Sequence, residues 1–425
     1  MPNIISQTID ILWRTLFGLL WNAIPRHLRQ RASEKILNFQ KRATLCIPFS
    51  KVSVYRFTTS VLDLEINHSQ LIDLSCDETS LIAIKSKLPK FSLVATCKNE
   101  AGSIESWLDS IAKQTTIPQE VVLVDGGSTD ETIALATKWH TNQLSNIDTE
   151  PQFAFILVSE RNKNIAEGRN IAINAASNDL VVLSDVGCKL DSKWAEYLLL
   201  PFSNNPNTEV SMGWYEPVCD NDFSRALAYL TVPKLRNIDP GLFLPSARSL
   251  ALKKALWKLA GRYPEFLTLA GEDSLFDYYL KQHAKHLAFV PEATVYWSFP
   301  ASIRKGFKTM YNYSRGDAEG GVIAWQHYYW LLTSLGKVST FVFLFALITA
   351  LGLFISYDAL IALGAIFGLM PLYLIFELLK RFQPLEHATS PREVFFRLLA
   401  LFTLIFAQAL GFSHGLLCRK NKTCS

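Results

Sequence analysis

Val121-Val122-Leu123-Val124-Asp125-Gly126-Gly127-Ser128-Thr129-Asp130 decides the fold: four β-prone apolar residues run into an acid, turn on two glycines, and restart on Ser, Thr and Asp. That order predicts a buried strand, a tight turn and the start of a helix. Three further apolar runs flank it and also end in polar residues. They are Phe91 to Thr96, Phe153 to Val158, and Leu180 to Leu183 followed by Ser184-Asp185. Between the runs lie residues at helical spacing: Ile104, Trp107, Leu108 and Ile111, then Ile133, Ala134 and Ala136, then Ile165, Ala166, Ile171, Ala172 and Ala175. Alternating strands and helices predict an α/β domain with a mostly parallel sheet. Ligands of such sheets bind beyond the carboxyl ends of the strands, which would gather Asn99, Glu100, Asp125 and Asp185 at one mouth.

The 425 residues allow two or three domains. A formal charge of +4, with the basic residues dispersed, predicts no nucleic-acid partner. Seven cysteines without a CxxC pair argue against a zinc site or a disulfide framework, and for a reduced, cytoplasm-facing domain.

Hydropathy divides the chain into three regions. Residues 1–88 hold an apolar stretch from Ile9 to Trp21, too short to span a bilayer, followed by Arg26, Arg29 and Arg31. It reads as an in-plane amphipathic helix or as an ordinary core helix. Alternating runs between Lys51 and Pro89, such as Val52 to Phe57, predict a few accessory strands. Residues 89–318 form the α/β domain. Residues 319–425 carry uncharged runs of about spanning length at 338–356 and 359–376, and a shorter third at about 395–415 that spans, re-enters or lies in the interface. Lys380, Arg381 and Arg392 follow the second run, whereas the first turn has only Asp358, so the positive-inside rule predicts a multi-pass membrane protein with its α/β domain in the cytoplasm.

Ala95-Thr96-Cys97-Lys98-Asn99-Glu100, the Asp125 to Asp130 run, and Gly168-Arg169-Asn170 with Ala172 and Ala175 together resemble the nucleotide-binding half of family 2 glycosyltransferases. The resemblance extends from about Phe91 to Gly316 and implies the Rossmann-like GT-A fold, with C-terminal membrane segments common in that family. It implies that Asn99, Glu100 and Asp125 hold the nucleoside of a nucleotide-diphosphate sugar, with Arg169 near its diphosphate or base. Taken alone, Asp125 to Asp130 could equally be a capped turn, and Arg169 a solvated residue.

Ser184-Asp185-Val186-Gly187 stands where the family carries its DxD motif, whose acids hold Mg2+ or Mn2+. Gly187 replaces the second acid, which leaves Asp185 as the main protein ligand and opens room for the sugar. Ala270-Gly271-Glu272-Asp273-Ser274 matches the family's ED motif. The resemblance makes Asp273 the base that deprotonates an acceptor hydroxyl and Glu272 its orienting partner. The same two acids could also merely complement a helix dipole. A base suggests an acceptor that needs deprotonation, such as a lipid-linked saccharide or a glycan. Arg248 is a candidate ligand for phosphate or carboxylate. Tyr311 to Asp317, with Arg304 and Lys305, reads as an interfacial amphipathic helix. Two rivals remain: a nucleotidylyltransferase, and a noncatalytic membrane scaffold with a degenerate transferase domain, motivated by Gly187.

Overall fold

The structure is a computed structural model and describes residues 52–57, 69–73, 78–144, 153–267, 270–321 and 388–422. The expected amino-terminal helix and the apolar runs at 338–356 and 359–376 lie outside the described residues. The described strands are β1 (Val52–Arg56), β2 (Ser69–Asp73), β3 (Ser92–Cys97), β4 (Glu120–Asp125), β5 (Ala154–Ser159), β6 (Leu180–Leu183), β7 (Cys188–Leu190), β8 (Val210–Val218), β9 (Leu250–Lys253) and β10 (Leu287–Ser298). The helices are α1 (Glu78–Lys85), α2 (Ile104–Ala112), α3 (Thr132–Leu144), α4 (Ile165–Ala175), α5 (Trp194–Asn204), α6 (Asp222–Thr231), α7 (Lys254–Leu259), α8 (Glu272–His283), α9 (Ile303–Gly320) and α10 (Pro391–Lys422).

The strands form one sheet in the order β2-β1-β10-β8-β9-β6-β3-β4-β5, with β7 antiparallel to β10. Strands β3, β4 and β6 are buried almost throughout, and their central residues are apolar on both faces because both faces are covered. Alternation assigns their side chains: Leu93, Ala95 and Val182 join Trp107 and Leu108 of α2 and Trp194 of α5 on one face. Val94, Val122, Val124 and Val181 meet Ala166 and Ile173 of α4 and Phe276 of α8 on the other. Strands β1 and β2, expected as an accessory region, continue this same sheet from its β10 side.

Two features of the topology create the site. The chain leaves β3 for β4 and β5 and then returns to β6 on the opposite side of β3, so the carboxyl ends of β3 and β6 flank a switch point. Strand β9 runs antiparallel to both β6 and β8, so the residues ahead of it, including Arg248, reach the edge where the parallel strands end.

Helices α6, α9 and α10 share a third apolar cluster containing Phe223, Leu227, Met310, Leu404 and Ala407. Among the described residues, only Pro391–Cys418 of α10 is long and apolar enough to cross a membrane by length and composition. It contains the third apolar run. Its Gly411 and Gly415 approach the carbonyls of Tyr311 and Arg315 so closely that a Cβ would collide there. Ser314 Oγ donates to the Gln408 carbonyl at 2.7 Å, and the Tyr311 hydroxyl bonds the His414 ring. The Tyr311 to Asp317 stretch is therefore a packed segment of α9, while Phe402, Phe406, Leu410 and Leu417 of α10 stay exposed.

Candidate active site

The turn after β4 is held by its own residues. Asp125, buried at the strand end, accepts from the amides of Gly127 (3.0 Å) and Ser128 (3.1 Å) and from the Ser128 hydroxyl. Gly127 takes a φ of +91°, a left-handed conformation that glycine adopts without strain. The loop after β3 is laced onto this turn: Asn99 Oδ1 accepts from Thr129 N (2.8 Å), and Glu100 N donates to Thr132 Oγ1 (2.8 Å). Ser184 is buried and accepts from Trp107 Nε1 at 3.2 Å.

Each residue of Gly168-Arg169-Asn170 in α4 has a separate task. A Cβ at position 168 would collide with Thr96 Oγ1, so glycine lets α4 close onto β3. Asn170 accepts from Trp257 Nε1 (3.2 Å) and Tyr263 N (3.0 Å) and donates to the Tyr263 carbonyl (2.9 Å), which fixes the loop leading to α8. Arg169, only 4% exposed, holds three carboxylates. Its Nη1 lies 2.6 Å from both Glu272 Oε1 and Asp273 Oδ1, and its Nη2 lies 2.9 Å from Asp185 Oδ1. Its guanidinium also lies over the Tyr263 ring at 5.4 Å.

The two acids facing Arg169 from opposite sides are tuned differently. Burial pushes the Asp185 carboxyl up, but Arg169 and Arg248 outweigh it and leave the group below the ordinary carboxylate range. Burial also pushes Asp273 up, Arg169 opposes this, and the charges of Glu272 and Asp185 add to it, leaving the group at about 7. One carboxylate is thus held ionised and the other is poised to exchange a proton near neutrality, the separation expected of an ionic ligand and a general base.

Two cavities meet here. One, of about 710 Å³, is lined by Glu100, Gly126, Lys98, Lys163 and Gly187. The other, of about 660 Å³, is lined by Arg169, Glu272 and Asp273, and reaches Leu404 of α10. Asp185, Arg248 and Trp297 line both. Arg248 lies over the Trp297 ring at 4.1 Å, with its Nε 3.7 Å from Asp185 Oδ2. Of the residues singled out in the sequence, Glu100, Arg169, Asp185, Arg248, Glu272 and Asp273 line the cavities. Asp125 and Ser184 lie beneath the floor, and Asn99 is exposed at the side, tying two loops together.

A divalent ion fits this donor set in one way. Among the described residues no group of three or more His, Cys, Asp or Glu side chains could hold a metal. Asp185, however, offers hard oxygen at the seam, and a Cβ added to Gly187 would meet nothing within 4 Å. Mg2+ suits a site of one or two carboxylates completed by substrate phosphates and water.

The sequence reading passed over Trp297, which seats Arg248. It also missed Asp277, which stands one turn after Asp273 on α8 and lines the same cavity. The four-residue spacing from Asp273 was a usable signal for Asp277. Trp297 left none, because β10 was not recognised as a strand.

The mostly parallel sheet, its switch-point cavities and the ED pair at a helix start define a GT-A-like glycosyltransferase fold. Residues 92–256 match the model of glycosyl transferase family 2, so that stretch is a domain of this family and the chain is of the glycosyltransferase class. An O-antigen chain rhamnosyltransferase of Salmonella anatum is 24% identical over 238 residues, covering 53% of this chain and 71% of that protein. A PGL/p-HBAD biosynthesis glycosyltransferase of Mycobacterium tuberculosis is 48% identical over 54 residues, which span 13% of this chain and 21% of that protein. Solved structures are more loosely similar. A mannosyltransferase of Pyrobaculum calidifontis, in complex with GDP-Man and Mn2+, has a TM-score of 0.46 at 15% identity, covering 90% of this chain and 96% of that one. S. aureus TarS 1–349 with UDP has a TM-score of 0.40 at 20% identity, covering 54% of this chain and 65% of that one.

Proposed function

We propose that the chain is an inverting glycosyltransferase that moves a sugar from a nucleotide-diphosphate sugar to a hydroxyl of a lipid-linked saccharide or glycan, with its catalytic domain at the cytoplasmic face of a membrane it crosses more than once. The observation that carries this reading is Arg169, which draws Asp185 and the adjacent pair Glu272 and Asp273, from two separate parts of the chain, to the boundary between two cavities. A donor fits the cavity lined by Glu100, Lys98 and Lys163, and an acceptor fits the one lined by Asp273.

In this reading Asp273 takes the proton of the acceptor hydroxyl as that oxygen attacks the anomeric carbon. The bond from that carbon to the diphosphate breaks on the opposite face, so the configuration inverts. Glu272 shares Arg169 with the base and keeps its carboxyl proton-hungry. Arg248, seated on Trp297 and facing both cavities, meets the negative charge that develops on the leaving diphosphate. Asp185 would hold a divalent ion, which supplies further screening of that charge when bound. The likeness to an O-antigen chain rhamnosyltransferase supports a saccharide acceptor. The apolar α10, together with the uncharged runs at 338–356 and 359–376, supports a carrier lipid as its anchor.

The test is to incubate the full chain in detergent with a panel of nucleotide sugars and measure nucleoside diphosphate release with and without divalent cation. Release from at least one donor, lost in Asp185→Ala, is expected. Absence of release from every donor would overturn the proposal.

A further inference from the structure

The cavity lined by Asp273 carries polar atoms that the reaction just described does not use. Three of its lining residues hold a buried polar atom with no hydrogen-bond partner among the described residues: Asp277 Oδ2, Gln408 Oε1 and Trp297 Nε1. Leaving one such group unmatched is destabilising, and native proteins keep few of them. Finding three on the walls of one cavity points to a ligand that supplies what they lack.

Their positions are specific. Asp277 is 2% exposed and lies four residues after Asp273, on the same face of α8 as the base. Burial, then the adjacent charge of Asp273, pushes its carboxyl well above the ordinary range, so it stands as a neutral acid able both to donate and to accept. Gln408 is the one amide in the uncharged run Leu398 to Phe412 of α10. The hydroxyl in that run, Thr403 Oγ1, is bonded to the Leu399 carbonyl at 2.8 Å, whereas the Gln408 amide oxygen has no such outlet. A polar side chain on an apolar helix is costly and suits a ligand contact. Trp297 adds an indole N–H that has no acceptor among the described residues. Between them, Leu230, Val232, Phe299, Met310 and Leu404 give the cavity an apolar wall.

We infer that Asp277, Gln408 and Trp297 form a hydroxyl-reading subsite that holds a saccharide unit of the acceptor between α8 and α10, one turn from the base. A neutral acid, an amide and an indole N–H match the mixed donors and acceptors of a polyhydroxylated ring. The apolar wall suits the ring's C–H faces, and α10 then serves as part of the acceptor site as well as an apolar helix. The inference rests on the reading of this cavity as the acceptor side.

Binding can be measured without turnover. The full chain, in a detergent with no sugar headgroup, is titrated with octyl glucoside, octyl galactoside, octyl mannoside and octyl rhamnoside below their micellar concentrations. At least one should bind. Gln408→Leu and Asp277→Leu should each weaken that binding by about tenfold or more, the expected effect of losing a buried hydrogen bond. Asp277→Asn should retain binding within about threefold, because a neutral amide can replace a neutral acid. Thr403→Val, on the same helix but already bonded internally, should leave binding unchanged and controls for disturbed packing of α10. The subsite is overturned if no glycoside binds the unaltered chain, or if the two leucine variants bind as well as it does. Either outcome together with intact nucleoside diphosphate release overturns the subsite alone, whereas absence of release from every nucleotide sugar overturns the transferase reading beneath it.

Discussion

Arg169 Nη1 lies 2.6 Å from Asp273 Oδ1, so the carboxylate assigned the proton transfer is directly ion-paired to a buried cation. Arg169 steadies the base in position. Alone it would also make that base too weak, and burial first, then the neighbouring charges of Glu272 and Asp185, counter this by raising its proton affinity.

Replacing the base by its amide isostere, Asp273→Asn, should lower kcat by about 10²- to 10⁴-fold, the usual contribution of a positioned proton acceptor. Donor affinity should stay within about threefold because the change is on the acceptor side. Single-turnover kinetics together with nucleotide titration separate the two effects. Near-normal turnover would remove Asp273 from the mechanism.

The pH profile follows from the raised Asp273 carboxyl. A base at about 7 is protonated below that pH, so kcat/KM should rise with pH through about 7. Glu272→Gln removes a charge that pushes the group up, and the midpoint should move to lower pH. A midpoint that moves upward or stays fixed would contradict the assigned coupling.

Arg169→Met leaves Asp185, Glu272 and Asp273 without their shared cation. Removing one partner of a buried ion pair costs about 3–5 kcal/mol. The loss should depend on pH with a definite sign. Without the arginine the folded-state value of Asp273, already raised by burial, rises further above its unfolded value, so stability falls as pH rises and partly recovers on acidification toward the ordinary carboxylate range. Thermal unfolding in detergent between about pH 5 and pH 8 tests this.

Gly187→Asp restores the second acid at an uncrowded position. It should tighten Mn2+ binding in the presence of a nucleoside diphosphate, because two carboxylates then share the ion. Titrating Mn2+ against nucleotide affinity provides the readout, and unchanged metal dependence would count against Asp185 as a ligand.

How far the sequence could be read follows from what each residue does locally. Strands β3, β4, β5 and β6 are short apolar runs closed by polar residues, and they were legible to within a residue or two. Strands β8 and β10 carry no such signature, whereas β9 overlaps the stretch Pro245 to Leu252, which resembles the family's strand and loop facing donor and acceptor. Strand β9 has only 4 residues, and the register of β10 on β8 shifts between Phe289 and Thr294, around Pro291. Arg248 was legible as a candidate, but its position at the mouth depends on the reversed direction of β9, which has no local signature. Asp125 and Asn99 carry the family pattern, yet their side chains close hydrogen bonds within the turn and between the two loops. A motif records which residues recur and leaves open whether they face the solvent or the scaffold.

The antiparallel course of β9 also limits how this protein can be divided. The matched stretch stops at residue 256, soon after that strand, and Glu272 and Asp273 come later in the chain. A fragment trimmed to that boundary would keep Arg169, Arg248 and Asp185 but remove Glu272 and Asp273, leaving two arginines facing one carboxylate and so a surplus positive charge. Such a piece is expected to bind stray anions and to report on neither half of the reaction, so enzymology on this protein should begin from a length that extends at least through α10.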